Sequence, residues 1–243
     1  MRAGRAARAG SIPRMRDLTA RFPRRAGALA GAYAALSAVS SVSAVKGLRR
    51  GEAAAKPLLM PVLAAWTLTA AGAADRRRLA LPVAGMLLGG LGDTALLAAK
   101  GSPKWFLPGM GAFAAGHACY IAALARDGAA GRVRPAAAAG YTAAGTVLLA
   151  GLWRGLPGGL RAPVAGYSAV LLSMAALASG RNKQAAAGGA LFAVSDALIA
   201  CGLTRAAGPA ARAAEAAVMP SYTAGQFLLA AGWLAPPAAA PEP

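Results

Sequence analysis

The sequence contains one histidine, two cysteines and eight acidic residues in 243. A single histidine excludes a histidine-rich metal site, and without a CxxC pair or a His/Cys cluster the usual zinc arrangements are excluded too; no metal is expected. The cysteines, Cys119 and Cys201, fall inside apolar runs, where each reads as a small packing residue rather than half of a disulfide. Charged residues are 14% and aromatic residues 6% of the chain, against 57% hydrophobic residues and 31 glycines. A soluble domain of this size needs more charge to cover its surface, so the composition points to a membrane protein.

What charge there is has one sign. The net charge is +18, and eight arginines (Arg2, Arg5, Arg8, Arg14, Arg16, Arg21, Arg24, Arg25) precede the first apolar run, while the others fall mostly in short gaps between runs. A nucleic-acid groove interleaves basic and aromatic residues; that pattern is absent, so no nucleic-acid partner is expected. Basic flanks around apolar spans are what membrane topology and anionic lipid favour.

Eight apolar segments run over 28–46, 56–73, 79–98, 104–125, 134–153, 160–179, 185–204 and 213–235. Each is long enough to cross a hydrocarbon core of about 30 Å at about 1.5 Å per residue. Lipid leaves no partner for unpaired backbone groups, so such spans are helices. The predicted fold is all-α: a polytopic membrane protein with eight transmembrane helices in a bundle around a polar cavity, over residues 28–235. A basic, disordered cytoplasmic arm is expected over 1–27, too rich in arginine for a cleaved signal peptide, and a disordered tail over 236–243. The Lys and Arg distribution favours a cytoplasmic N-terminus in a bacterial plasma membrane, with the C-terminus also inside. That orientation rests on the arm, since without it the balance between the two faces reverses. Nothing in the sequence sets an oligomeric state.

Two spans carry a carboxylate: Asp93 in LLGGLGDTALL at 87–97, and Asp196 in ALFAVSDALIA at 190–200. An ionisable group there costs a few kcal/mol or more and usually has a job. Counted from the face bearing Lys56 and the 99–103 loop, Asp93 lies about 8 Å deep, Tyr167 and Asp196 about 10–12 Å, Tyr222 about 14 Å, and His117 and Gln226 about 20 Å. Phe113, His117 and Tyr120 share one helical face, as do Tyr222 and Gln226. Gly89, Gly92 and Gly116 permit close helix approach. Taken singly, His117, Tyr167, Tyr222 and Gln226 read equally well as hydrogen-bonding glue between helices, and Lys56 as a residue snorkelling to the interface. The aspartates differ, because neither has a basic residue one turn away in its own helix and each needs a partner across the bundle. A pair of carboxylates also allows one to be protonated while the other is ionised, the division of labour of acid and base chemistry.

KPLLMP at 56–61, GDTALL at 92–97, FAAGHACYIAAL at 113–124, YSAVLLSMAALA at 167–178, FAVSDALIA at 192–200 and SYTAGQFLLAAGW at 221–233 together resemble the YhhN-like lysoplasmalogenase family, in order and spacing. The resemblance covers residues 30 to 235 and implies an integral membrane hydrolase. Such an enzyme cleaves the vinyl ether bond of lysoplasmalogens, lysophospholipids drawn from the surrounding membrane lipid, to a fatty aldehyde and a glycerophospho-alcohol, without a cofactor. The family's polar positions match at Lys56, Asp93, His117, Tyr120, Tyr167, Asp196 and Gln226, with Tyr222 beside them. Gly225 departs from the bulkier residue the family often has before the glutamine. Vinyl ethers hydrolyse by protonation of carbon, so the resemblance implies an acid, an anion to stabilise the cation, and a base for water. Asp196 is expected as acid and Asp93 as stabiliser and base, with the reverse assignment left open. His117 and Tyr120 are expected to tune the pair, and Lys56 to meet the phosphate. The reading from a different class is a small proton-coupled membrane transporter using the same carboxylates, although the spans show no inverted repeat. A purely structural role would leave both aspartates unexplained.

Overall fold

The computed structural model describes residues 24–72, 75–202 and 208–239. Among these residues, eight long helices follow the eight predicted runs in order: α1 Arg24–Lys46, α2 Arg49–Ala71, α3 Ala80–Ala99, α4 Phe106–Arg126, α5 Pro135–Leu152, α6 Gly158–Ser179, α7 Lys183–Gly202 and α8 Pro209–Leu234. Short 3-10 turns occur at Pro103–Trp105 and Ala129–Arg132, and no strand occurs among the described residues.

α1, α2 and α8 begin four or more residues before their apolar segments. α1 begins at Arg24, so residues 24–27 of the expected arm are helical, while its residues 1–23 lie outside the described residues. α2 starts at Arg49, seven residues before its apolar run, because the charges of its first turns find partners: Glu52, buried, accepts from Lys100 Nζ at 2.5 Å. The expected tail also differs. Residues 240–243 lie outside the described residues, but the Ala238 amide donates to the Arg181 carbonyl at 2.5 Å and the Pro236 carbonyl accepts from Asn182 Nδ2 at 3.1 Å, so residues 236–238 are tied to the α6–α7 connection.

Seven helices, α1 to α7, are long and apolar enough to cross a membrane and mark an integral membrane protein. α8, predicted as an eighth span, is long enough but is not among them. Its polar positions Tyr222, Thr223 and Gln226 are buried against the other helices, so it spends hydropathy on contacts inside the bundle.

α8 packs most closely on α7, and α3 on α4; α8 also touches α1, α2 and α3. Glycines set the spacing in both pairs. A Cβ added at Gly85 would lie 2.9 Å from the Gly116 carbonyl, and one at Gly225 would lie 3.0 Å from the Gly188 carbonyl. Without side chains the backbones close to van der Waals contact, and packing rather than hydrophobicity holds helices together in lipid. On the far side of α4, Gly111 has nothing within 4 Å of its would-be Cβ. Gly225→Leu is therefore expected to force α7 and α8 apart at a cost of about 1–3 kcal/mol, whereas Gly111→Leu leaves stability unchanged. Thermal denaturation of the two purified variants in detergent checks this, and equal midpoints would refute it.

Aromatic stacking joins α1 and α2 to α8. The Phe227 ring lies 4.7 Å from that of Trp66 and 6.0 Å from that of Tyr33, centre to centre. α5 is the exception in the bundle. It touches α6 and, more lightly, α7, and Leu152 is its one buried residue.

Candidate functional site

Three helices converge on Asp93. This residue of α3 is 2% exposed; Tyr222 of α8 donates its hydroxyl to Oδ2 at 2.6 Å, and Lys56 Nζ of α2 lies 3.5 Å from Oδ1. Lys56 is seven residues into α2 and Asp93 six from the end of α3, which sets both about 10 Å below the same face. Its expected place at the interface is thus corrected: the Lys56 side chain is 17% exposed and its charge is engaged by Asp93. A buried carboxylate persists in apolar surroundings when a cation and a hydrogen-bond donor compensate it, and here both come from other helices.

Asp196 is built differently. It is only partly buried on α7, and Tyr167 of α6 donates its hydroxyl to Oδ2. The Tyr167 oxygen in turn lies 3.3 Å from His117 Nε2 of α4. Because the tyrosine proton is given to the carboxylate, the geometry places an imidazole proton on Nε2, facing the tyrosine oxygen, and Nδ1 is buried without a partner. No Lys or Arg among the described residues pairs with Asp196. Among the described residues, one aspartate has a cation at hand and the other has none.

The remaining predicted residues form a second tier. Tyr120 donates to Gln226 Oε1 at 3.1 Å, linking α4 to α8, and both are buried. Between the tiers sits Phe192, fully buried, with its ring edge-on to His117 at 4.7 Å and to Tyr222 at 5.4 Å. Phe113 closes the aromatic group at 6.1 Å from Tyr222. Gly92 leaves room for it, since a Cβ there would lie 2.6 Å from the Phe113 ring.

A cavity of about 430 Å³ connects the two carboxylates. Lys56, Asp93, Tyr167, Asp196 and Tyr222 line it, whereas His117, Tyr120 and Gln226 stand behind the wall. The expectation of a polar cavity needs adjusting: apart from Ser168 and Ser195, the rest of the wall is apolar or aromatic. Along the bundle axis, Phe106, Leu152, Val164 and Ala200 lie toward the face that carries Lys100, the polar group lies in the middle, and Tyr141, Leu171 and Ala190 lie deeper. The volume is in the range of small-molecule sites, and the shape is that of an apolar chamber with a polar waist.

Sequence reasoning missed Tyr33 and Phe192. Tyr33 of α1 donates to the Thr223 carbonyl at 2.8 Å, fixing the α8 backbone next to Tyr222. Its signal was present, since it is one of five tyrosines in the chain and stands alone in a run of Ala, Gly and Ser. Phe192 had no signal, because an aromatic ring in an apolar run reads as core.

The sequence matches the YhhN family over residues 51–233, from the first turn of α2 to the last turn of α8, and the chain belongs to that family. Every predicted site residue falls inside the matched stretch, while Tyr33 precedes it. Neither a curated protein nor a solved structure matches the chain.

Proposed function

We propose that this YhhN-family protein is a membrane hydrolase that cleaves the vinyl ether bond of lysoplasmalogen-type lysophospholipids, releasing a fatty aldehyde and a glycerophospho-alcohol. One observation carries the reading: two carboxylates on one largely apolar cavity, one with a cation beside it and one without. In this reading α8 crosses the bilayer as the eighth span. The N-terminus is cytoplasmic in a bacterial plasma membrane, which turns the Lys56 side of the site outward.

Asp196, with no cation to hold its charge, carries a proton and gives it to the vinyl carbon distal to the ether oxygen. The adjacent carbon becomes an oxocarbenium ion, stabilised by the negative charge of Asp93. Water adds to that carbon as a carboxylate takes its proton, forming a hemiacetal. Breaking the bond between the former vinyl carbon and the glycerol oxygen, with proton transfer to that oxygen, yields aldehyde and alcohol. One water is consumed, and no cofactor takes part. Lys56 and Tyr222 keep Asp93 ionised and oriented; Tyr167, backed by His117, holds the Asp196 carboxyl group in place; Tyr120 and Gln226 fix the spacing of α4 and α8 behind them.

The test is product analysis. Purified protein in detergent, with no membrane gradient, is expected to release fatty aldehyde from a lysoplasmalogen and none from the matched ester lysophospholipid, as read by mass spectrometry. Proton-coupled solute uptake into vesicles, with no aldehyde from any vinyl ether in the panel, would replace the hydrolase by the transporter.

A further inference from the structure

With Lys56 engaged by Asp93, no other Lys or Arg among the described residues stands at the level of the carboxylates to meet the phosphate of a lysophospholipid. Arg161 stands in the first turn of α6, six residues before Tyr167, hence about 9 Å nearer the face. It shares a helical face with Val164 and Ser168, three and seven residues on, and both line the cavity. Its guanidinium carbon lies 5.6 Å from the centre of the Trp153 ring, and Trp153 directly follows Leu152, another cavity residue. Arg161 Nε is shielded from solvent with no hydrogen-bond partner, and no carboxylate pairs with the guanidinium among the described residues. A donor left in that state costs free energy unless a ligand supplies the acceptor.

We infer that Arg161, held against Trp153 beside the outer end of the cavity, is the binding site for a lipid headgroup phosphate, an inference that rests on the hydrolase reading for the identity of the lipid. The guanidinium fork suits two phosphate oxygens, and stacking on the indole orients it without neutralising it. The spacing fits. Six bonds separate phosphorus from the first vinyl carbon of a lysoplasmalogen, a reach of about 7 Å when three bonds span about 3.6 Å. A phosphate on Arg161 thus sets the vinyl ether near Tyr167 and Asp196, and the hydrocarbon tail runs on toward Leu171, Leu172 and Tyr141.

Binding is tested apart from catalysis, with an ester lysophosphatidylcholine that has no vinyl ether and the monoacylglycerol of the same chain, each titrated onto the protein in detergent and counted by native mass spectrometry. The wild-type protein is expected to prefer the phosphate-bearing lipid. Arg161→Gln is expected to weaken that lipid about tenfold and leave the monoacylglycerol unchanged, and Arg161→Lys to recover part of the loss. Equal wild-type affinity for the two lipids, or equal weakening of both in Arg161→Gln, overturns the assignment. Retention of inorganic phosphate alone with the same dependence on Arg161 would make free phosphate the ligand and overturn the lipid headgroup. Lipid preference without aldehyde release refutes the hydrolase and keeps this site; aldehyde release with no phosphate preference does the reverse.

Discussion

Asp196→Asn is expected to reduce aldehyde release from a lysoplasmalogen by roughly 10³-fold, within the range for loss of a general acid. The amide is nearly isosteric and keeps an oxygen that accepts from the Tyr167 hydroxyl, so the contact between α6 and α7 survives. What it lacks is a proton it can give to carbon. The loss belongs in kcat, with lipid affinity retained, because the acid acts only in the transition state. Asp93→Asn is expected to fail in a different way. It leaves Lys56 as an uncompensated cation 3.5 Å from a neutral amide and, in the proposed mechanism, removes the anion that stabilises the oxocarbenium ion. Full-length protein, purified and folded, assayed at saturating lipid, separates the two. If Asp196→Asn stays within about threefold of wild type while Asp93→Asn loses at least about a hundredfold, in the range typical for one acid or base, the roles of the carboxylates are exchanged.

Asp127→Asn is expected to destabilise the fold by about 3–5 kcal/mol, the cost of removing one partner from a buried ion pair. Arg181, in the turn between α6 and α7, is completely buried. Its Nη1 contacts the Asp127 carboxylate at the end of α4, its Nε donates to the Gly232 carbonyl at 3.0 Å, and its guanidinium carbon lies 4.4 Å from the centre of the Trp233 ring. Burial, with Arg78 adding like charge, lowers the Arg181 pKa to about 10, so the group is still charged at neutral pH and needs its counter-ion. One side chain thus ties the ends of α4 and α8 to the connection between α6 and α7. Asn182 adds to it by donating to the Gly232 carbonyl at 2.9 Å and accepting from the Ala185 amide at 2.9 Å. Arg78, 44% exposed and 3.9 Å from Asp127, is the control: Arg78→Ala is expected to cost less than about 1 kcal/mol. Thermal denaturation in detergent reads the difference, with a drop on the order of 10 °C for Asp127→Asn. Equal midpoints for the two variants would show that the buried contact contributes nothing.

Much of the fold was legible because its signals are local. Apolar length gave eight helices in order, and lipid's inability to pair backbone groups is a property of each segment by itself. The ends were less legible. A charged first turn such as that of α2 is helical because Glu52 meets Lys100, 48 residues away in sequence. At the site, the sequence picked out the residues but not their grouping. Lys56 read as an interfacial cation and is the partner of Asp93. Arg181 read as one more topology charge and is a buried clasp. Arg161 read the same way and is a guanidinium near the cavity with no carboxylate partner among the described residues.

By itself, then, the sequence determined that the chain is a helical membrane protein, which stretches are helices, that two carboxylates sit within them, and which family it belongs to. Only the tertiary structure decided that Tyr222 and Lys56 go to Asp93, that Tyr167 and His117 go to Asp196, and that Tyr120 and Gln226 stand behind the cavity wall. Hydropathy measures how a segment partitions into lipid and is unchanged by turning a helix about its axis. Pairing depends on that rotation and on contact between helices far apart in sequence, such as the 129 residues separating Tyr222 from Asp93. Rotation is settled by where glycines let backbones meet, as at Gly85 with Gly116 and Gly188 with Gly225, and a glycine's meaning depends on what faces it across the interface.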